Sequence, residues 1–391
     1  MSVSTITVTQ DLAERRTGTG DEDADDDMSE PSRGVAALFD DAATSPAPAV
    51  PDAPAPRRRR RWGFVLGALL VVALAVAGGA WFTLRHAVSS YDHNIERFGD
   101  PFAQLPADKR PASTARTGAL NVLLLGSDSR ISAGDPGQWA MGAQRTDAIM
   151  LVHVQADRKA AYVVSIPRDS WVPIPGHGTA KINAAFSWGG PALMVRTVES
   201  VTGVHVDHVV IADFDGFKQL TDDLGGVDIK IPKATHDERA SWTAGVHHMT
   251  GEQALNYVRQ RHNLPGGDFD RIKRQQTWIK VVVRKLVASG TMSNPVALNR
   301  ALTTLSKSVA TDAGFDMDKI GALASSLGSM DPGELRFLTT PTAGGGVSSD
   351  GQMYVKVDRA AAGRLFGAVQ NDKVREWIRT YRPDMLPGEV R

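Results

Sequence analysis

The sequence predicts a layered α/β domain that follows a single membrane-spanning helix. From about residue 119 onward, short apolar runs of strand length alternate with longer segments of helical apolar spacing, a pattern typical of helices packed on a central sheet. Ahead of them lies Trp62–Leu84, a stretch of 23 residues without charge that is long enough to cross a bilayer. Of the 391 residues, 42% are hydrophobic, so we expect a substantial core.

Charge is segregated along the chain, although the formal net charge is zero. Residues 1–56 carry twelve acidic and three basic side chains, frequent prolines and few large apolar residues. We interpret them as a disordered acidic cytoplasmic tail, because such a composition cannot offset the entropy of ordering the chain. A regulatory or docking tail is the alternative.

Five consecutive arginines, Arg57–Arg61, directly precede the apolar stretch. Because positive residues stay on the cytoplasmic side, they predict that residues 57–85 form a retained signal-anchor with the N-terminus inside. The alternatives are a cleaved signal peptide and a nucleic-acid patch. The apolar stretch begins about 60 residues into the chain and is longer than a signal-peptide core, which favours the anchor.

The absence of cysteine excludes disulfides, zinc–thiolate sites, iron–sulfur clusters and thiol nucleophiles. The sequence also lacks the phosphate-loop, zinc-protease and nucleophile-elbow motifs, and its ten histidines have no metal-ligand spacing. Nucleic acid is not an expected partner, because the cytoplasmic part is short and acidic and contains no evident helix-turn-helix.

The domain is predicted to begin with three strands. Asn121–Leu125 is a short apolar run that ends at a glycine, and Ala148–Val154 and Ala160–Ile166 are two more, joined by a polar turn that suits a hairpin. Ile182–Val201 then has helical apolar spacing, with an interruption near Gly189–Gly190.

The middle of the domain continues the alternation. Val206–Ala212 predicts a strand, Phe214–Leu224 a helix that ends at Gly225–Gly226, and Val227–Ile231 another strand. Thr250–Arg259 predicts a helix, because Thr250 and Gln253 form a capping signature.

The remaining elements are predicted with less distinctive signals. Arg271–Ala288 has the apolar stripe of a longer amphipathic helix, and residues 295–327 predict two further helices. Leu335–Thr339 and Met353–Val357 predict strands on either side of a loop, in which Gly344–Gly346 is a flexible connection, and Arg359–Gln370 predicts a last helix.

Charged residues gather in two clusters, one at the ends of the first three strands and one around the start of the long helix. Ligands of open α/β sheets tend to sit beyond the carboxyl ends of strands. Two of the three groups in the first cluster follow a strand, whereas Arg145 and Asp147 precede one, so two of the three placements suggest a site. The first cluster contains Asp128, Arg130, Arg145, Asp147, Arg168 and Asp169. The second cluster contains Arg259, Arg261, Asp268, Arg271, Arg274 and Gln275.

This composition favours phosphate binding. Guanidinium groups match phosphate oxygens in a bidentate manner and stay charged at any relevant pH. A pyrophosphate would engage several arginines, and Asp128 and Asp147 could hold a divalent ion such as Mg²⁺ against it. The alternative is a set of surface ion pairs, unless the fold brings the two clusters together.

The ordered set of motifs resembles the LytR–CpsA–Psr (LCP) family, the bacterial enzymes that attach glycopolymers to the cell wall. The resemblance covers roughly residues 119–287. Its motifs are Asn121–Arg130, Arg145–Asp147, Ser165–Asp169, Lys181–Phe186, Asp213–Phe217, Asp222–Val227, Gly251–His262 and Asp268–Gln276. Residues 131–144 look longer than the usual family connection and could form a lid or a plain loop.

The resemblance implies a layered α-β-α LCP-type domain with a mixed central sheet. We therefore expect a juxtamembrane spacer at residues 86–118, a catalytic domain at 119–290 outside the cell membrane, and a C-terminal extension at 291–391. It also implies a transferase that moves a glycopolymer from a polyprenyl-pyrophosphate carrier to peptidoglycan through a phosphodiester link, with release of polyprenyl phosphate.

Residue roles follow from the same resemblance. Asp128 and Asp147 would hold Mg²⁺, with Mn²⁺ as a substitute, and Asp268 would be the general base for the acceptor hydroxyl. The pyrophosphate would be bound by Arg130, Arg145, Arg168, Lys181, Arg259, Arg261, Arg271 and Gln275. Of these, Arg168, Arg259 and Arg261 are also counted as catalytic.

Two other functions use the same residues. A pyrophosphatase would cleave the same carrier with water as the acceptor, and the sequence does not separate it from a transferase. A membrane-bound lipid-binding or regulatory protein would bind the carrier without chemistry.

Overall fold

The computed structural model describes residues 95–103, 105–113, 117–127, 146–260, 263–288, 303–304, 306–307, 309–327, 330–383 and 385. The predicted acidic tail, arginine block and membrane span lie outside these residues, and so do Asp128, Arg130, Arg145 and Arg261. Within the described ranges, no helix has the length and apolar character that crossing a membrane requires.

A seven-stranded mixed sheet forms the centre of the domain. In order across the sheet, its strands are β1 (Glu96–Phe98), β12 (Val309–Asp312), β7 (His208–Asp213), β2 (Leu120–Ser127), β3 (Thr146–Val154), β4 (Ala161–Ser165) and β13 (Leu335–Thr339). Three neighbouring pairs are parallel (β1 with β12, β2 with β7, β4 with β13) and three are antiparallel (β12 with β7, β2 with β3, β3 with β4), which confirms the predicted mixed α/β fold.

Seven helices and four two-stranded hairpins or ribbons surround this sheet in the described part of the chain. The helices are α1 (Asn183–Thr202), α2 (Phe214–Asp223), α3 (Gly251–Arg259), α4 (Asp268–Ala288), α5 (Met317–Leu327), α6 (Arg359–Gln370) and α7 (Val374–Tyr381). The small pairs are β5 (Trp171–Ile174) with β6 (Gly178–Lys181), β8 (Val227–Ile231) with β11 (Gly245–Met249), β9 (Thr235–His236) with β10 (Ser241–Trp242), and β14 (Thr342–Val347) with β15 (Met353–Val357).

The central strands are apolar because both faces of the sheet are covered. Leu123 in β2, Leu151 in β3 and Val164 in β4 have no exposed surface, and α1 and α6 pack over them on one side. On the other side Met150 and Val163 contact Ile279 of α4. Continuous apolar runs of this kind are typical of strands buried on both faces.

Two local predictions are confirmed in detail. Helix α1 is interrupted at Gly189 and Gly190, where the backbone leaves helical geometry and Gly190 has a φ of 61°. Helix α3 begins with the predicted capping box, in which the Thr250 N–H donates to Gln253 Oε1 at 3.0 Å and the Gln253 N–H donates to Thr250 Oγ1 at 3.4 Å. Both features depend on local chemistry alone.

Two other predictions differ from the structure. The prediction of two helices over residues 295–327 omits strand β12 (Val309–Asp312), which pairs with β7 and β1. The described residues 303–304 and 306–307 before this strand are helical, and helix α5 follows it. The run Gly344–Gly346 is part of strand β14 and not a flexible connection. Its glycine content has a packing reason, since the Tyr354 ring of the paired strand occupies the space that a Cβ at Gly346 would need.

We expect Gly251→Ala to destabilise the protein by about 1–3 kcal/mol, the usual effect of overpacking. A Cβ at Gly251, the first residue of α3, would overlap the backbone carbonyl of Lys218 in α2, and that backbone has little room to move. Urea unfolding of the two proteins measures the difference. Gly363→Ala in α6 is the matched control, because nothing lies near its added Cβ and alanine favours helix; an equal loss in both variants would contradict the prediction.

A second prediction concerns Lys280 of α4, which is only 3% exposed. Burial, together with the nearby positive charge of Arg284, lowers the pKa of Lys280 from its ordinary 10.5 to about 8. Between about pH 8 and pH 10.5, Lys280 is protonated in the unfolded chain but not in the folded protein. The unfolding free energy therefore rises with pH in this range. We expect the unfolding free energy of wild type minus that of Lys280→Met to rise between pH 8 and pH 10. A difference that stays constant would contradict the assignment.

Candidate active site

A cavity of about 730 Å³ lies against one face of the central sheet, where it is also lined by helices α2, α3 and α4. Its wall is polar at one end and apolar at the other. The polar residues are Asp147, Arg168, Asp237, Glu238, Arg239, Arg259, Arg271 and Gln275. The apolar residues include Leu124, Met150, Val210, Phe217, Leu220, Val258, Trp278, Ile279, Val282, Val283 and Leu286.

The sheet topology explains why residues of the first predicted cluster meet at the polar end of the cavity. Because β3 runs antiparallel to both β2 and β4, its first residues lie beside the last residues of these two strands. Asp147 is the second residue of β3, and Arg168 follows the end of β4 by three residues. The second cluster reaches the same cavity through Arg259, the last residue of α3, and through Arg271 and Gln275 of α4.

Arg168 lies close to three carboxylates at the polar end of the cavity. Its Nη1 donates to Asp147 Oδ1 at 2.5 Å, and its Nε lies 3.7 Å from Asp169 Oδ2 and 3.8 Å from Asp268 Oδ1. The turn that carries Arg168 is held by its own backbone, since the Asn183 N–H donates to the Arg168 carbonyl at 3.2 Å. Arg168 thereby connects the strand-end cluster to the helix that begins at Asp268.

Arg271 is buried in the cavity wall, with 2% of its surface exposed, and its Nη2 is paired with Asp268 Oδ1 one helical turn earlier. Asp268 is the first residue of α4, where a negative charge also interacts favourably with the helix dipole. Asp268 therefore contacts two arginines, Arg168 and Arg271, although it does not itself line the cavity.

Lys181, the last residue of β6, occupies a more distant position. Its Nζ lies 3.4 Å from Asp169 Oδ1, so it reaches the polar end through a carboxylate that Arg168 also contacts. It is not part of the cavity wall. Within the described residues, its position fits support of Asp169 better than direct phosphate binding.

Arg274 is close to Arg271 in sequence but has a different position. Its Nη1 donates to the Tyr257 carbonyl at 3.1 Å and to Gln260 Oε1 at 2.7 Å, and its guanidinium lies 4.2 Å from the Tyr257 ring centroid. Burial lowers the pKa of Arg274. Arg274 thus joins α4 to the end of α3 and stays outside the cavity.

Gln276 is the last residue of the motif Asp268–Gln276, and the motif itself predicts no role for it. In the structure its role is structural. It is 2% exposed, and its Nε2 donates to Ser165 Oγ and to the Leu338 carbonyl, both at 2.9 Å. These bonds fasten α4 to the ends of β4 and β13. They fix Arg271 and Gln275 relative to the turn that carries Arg168.

The apolar end of the cavity lies between α2 and the second half of α4. Trp278 stacks on Phe217 with ring centroids 3.8 Å apart, and its Nε1 donates to Thr221 Oγ1 at 3.0 Å. Val282 and Leu286 continue the same wall along α4. Such a chamber suits a hydrocarbon chain, and its connection to Arg168, Arg259 and Arg271 suits a hydrocarbon that carries phosphate.

The predicted divalent ion has one described candidate ligand. Asp147 offers hard carboxylate oxygens inside the cavity, as Mg²⁺ requires, although Oδ1 is engaged by Arg168. Asp128 lies outside the described residues, and in the part of the chain that the structure describes no group of three or more His, Asp or Glu residues is arranged to hold a metal. Asp147 fits one position of the predicted ligand set.

The fold and the cavity define a class: an α/β domain whose arginine cluster and apolar chamber fit a phosphate-bearing lipid. Sequence comparison identifies the family. The sequence model of the LytR_cpsA_psr family matches residues 89–371, so the chain belongs to this family.

Individual relatives agree with this assignment. The cell wall biosynthesis protein LcpA of Corynebacterium glutamicum is 32% identical over 288 residues, which are 62% of this chain and 54% of the relative. The polyisoprenyl-teichoic acid–peptidoglycan teichoic acid transferase TagU of Enterococcus faecalis is 30% identical over 320 residues, 80% of this chain and 97% of the relative. The chain thus spans nearly all of TagU but about half of LcpA.

A solved structure supports the fold. The crystal structure of TagV from B. subtilis superposes with a TM-score of 0.55 at 25% sequence identity, covering 66% of this chain and 98% of TagV. Together with the mixed central sheet of this chain, the likeness confirms the predicted LCP-type fold for the described domain.

Proposed function

We propose that the protein transfers a glycopolymer from a polyprenyl-pyrophosphate carrier to peptidoglycan. The observation that carries the proposal is the cavity, in which an apolar chamber continues into a cluster of arginines. The prenyl chain would lie against Trp278, Val282 and Leu286, and the pyrophosphate would lie at Arg168, Arg259 and Arg271. Family membership and the similarity to the teichoic acid transferase TagU support glycopolymer transfer as the reaction type.

The reaction exchanges a phosphoanhydride bond of the donor for a phosphate ester bond to the acceptor. An acceptor hydroxyl of peptidoglycan attacks the phosphorus that carries the sugar, a new P–O bond forms, and the bond from this phosphorus to the bridging oxygen breaks. Polyprenyl phosphate leaves with the bridging oxygen, and the hydroxyl proton passes to a base. The product is a phosphodiester between glycopolymer and peptidoglycan, and no nucleotide is consumed.

The chain's residues supply positioning and charge neutralisation, which account for most of the catalysis in phosphoryl transfer. Arg168, Arg259 and Arg271 would bind the pyrophosphate oxygens and stabilise the charge that develops on them. Mg²⁺ or Mn²⁺ held by Asp147 and Asp128 would add further neutralisation. Asp268, which adjoins Arg168 and Arg271, is the proposed acceptor of the hydroxyl proton.

Localisation is part of the proposal. The apolar stretch Trp62–Leu84 would anchor the protein in the cell membrane, with the N-terminal tail inside and the catalytic domain outside. This arrangement would put the catalytic domain on the side of the membrane where peptidoglycan is located.

The decisive experiment uses the full chain in detergent micelles with a polyprenyl-pyrophosphate donor labelled in its glycan. The label is followed with and without peptidoglycan, and with Mg²⁺ or EDTA. Transfer predicts label covalently attached to peptidoglycan and one polyprenyl phosphate released per attachment. Free glycan phosphate in both samples, with no label in the wall material, would show a pyrophosphatase and overturn transfer. A donor that binds but stays intact would indicate a lipid-binding or regulatory protein.

A further inference from the structure

The tip of the β9–β10 hairpin contributes three polar residues to the cavity wall that the proposed chemistry does not use. They are Asp237, Glu238 and Arg239, consecutive residues between Thr235–His236 and Ser241–Trp242. No sequence motif marks them, and the strands on either side have only two residues each. Their place in the wall therefore needs an explanation from the structure.

Gln260 holds the hairpin in place. This side chain is 1% exposed, and its Nε2 donates to Thr235 Oγ1 at 2.7 Å and to the His236 carbonyl at 2.9 Å. Its Oε1 accepts from Arg274 at 2.7 Å, so the hairpin, α3 and α4 are joined through one buried amide. Such fully satisfied buried networks are rigid, because any broken bond leaves a desolvated polar group.

The attachment determines which end of the cavity the tip faces. Gln260 directly follows Arg259, the wall residue at the end of α3, so the tip and Arg259 share one side of the cavity. The apolar chamber is formed by α2 and the second half of α4 instead. The hairpin tip therefore adjoins the proposed pyrophosphate position, where the first sugar of the donor has to lie.

Hydrogen bonds of the Asp237 carboxylate hold the turn at the hairpin tip, and these bonds do not involve the side chains of Glu238 and Arg239. Asp237 Oδ1 accepts from the backbone N–H of Arg239 at 2.9 Å and of Ala240 at 3.1 Å, a local turn that uses the Asp237 carboxylate. Glu238 and Arg239 are exposed on the tip. The tip thus presents one carboxylate and one guanidinium from a rigid support.

An adjacent carboxylate and guanidinium suit a sugar better than a phosphate. A carboxylate repels phosphate oxygens but accepts hydrogen bonds from hydroxyl groups, and a guanidinium donates to hydroxyl and carbonyl oxygens. We propose that Glu238 and Arg239 form the subsite for the sugar attached to the pyrophosphate, with Gln260 as their positioning residue. The inference rests on the proposed function and makes the hairpin tip a determinant of which glycan is accepted.

The experiment compares two synthetic probes on the full chain in detergent micelles. One is farnesyl pyrophosphate, which has no sugar, and the other is farnesyl pyrophosphate that carries one N-acetylglucosamine. Dissociation constants are measured by calorimetry for wild type, Glu238→Ala and Arg239→Ala. We expect each variant to bind the sugar-bearing probe about 10-fold more weakly, the size of one charge-assisted hydrogen bond, and to bind farnesyl pyrophosphate as wild type does.

Lys233→Ala is the matched control, because Lys233 is an exposed cation just before the hairpin and is not part of the cavity wall. It should bind both probes as wild type does. An equal loss for both probes in the Arg239 variant, or no loss for either, would overturn the sugar subsite while the proposed function stands. Wild type that binds neither probe would instead show that the proposed function is wrong.

Discussion

Replacement of Arg168 by alanine is expected to reduce glycopolymer transfer by about 10²–10³-fold, the usual effect of removing one preorganised donor to transition-state charge. Arg168 lies in the cavity wall and contacts carboxylates of Asp147, Asp169 and Asp268. Its loss would remove a proposed pyrophosphate ligand and also the cation that lies between these three negative groups. Both effects act on the donor phosphate, so we expect weaker donor binding together with a lower kcat.

Arg168→Lys should recover only part of the activity. A lysine ammonium is a point charge on a flexible stem, whereas the guanidinium donates from several nitrogens in a fixed plane. In the structure Nη1 and Nε of Arg168 face different carboxylates, Asp147 through Nη1 and Asp169 and Asp268 through Nε. One ammonium group cannot hold all three at once.

Initial rates with the labelled donor and peptidoglycan measure this effect, and the melting temperature of each variant shows whether the fold is intact. Arg379→Ala is the control, since Arg379 is an exposed arginine on α7 outside the cavity. Its activity should match wild type. A well-folded Arg168→Ala protein that transfers glycopolymer at the wild-type rate would remove Arg168 from the mechanism.

Much of the fold is predictable because its elements depend on short-range patterns. The central strands are continuous apolar runs, the break in α1 depends on Gly189 and Gly190, and the capping box of α3 uses residues three apart. Strand β12 was missed for the opposite reason. Val309–Asp312 is a strand because of its two partners, and Asp312 Oδ2 also accepts from the Val209 N–H of β7 at 2.8 Å. These contacts link β12 to residues about one hundred positions away in β7 and about two hundred positions away in β1, so no local pattern predicts them.

The site was predictable in its residue types but not in its shape. The two charged clusters suggested phosphate, and the structure brings Asp147, Arg168, Arg259, Arg271 and Gln275 to one cavity. No local sequence pattern marks the residues of the apolar chamber. They come from several strands and helices, and each has the apolar character of an ordinary core position. The hairpin tip at Asp237–Arg239 is equally hidden, since only the tertiary bonds of Gln260 place it in the wall.

Asp268→Asn is expected to have the other largest effect, a decrease in kcat of about 10²–10⁴-fold, the range for loss of a general base. Asparagine keeps the size of the side chain and an oxygen that can accept from Arg271, but it takes up no proton. Because asparagine can keep the contact to Arg271, donor binding should change far less than turnover. The measurements are kcat with the labelled donor and the dissociation constant of farnesyl pyrophosphate.

Asp270→Asn separates this role from the general effect of removing a charge at the start of α4. Asp270 lies two residues away on the same helical turn, and its carboxylate accepts from the Gly266 N–H at 2.8 Å, a bond that asparagine can keep. This control should retain wild-type turnover. If Asp268→Asn instead loses donor affinity in the same proportion as kcat, the carboxylate acts by orienting Arg168 and Arg271, and the proton acceptor is another group.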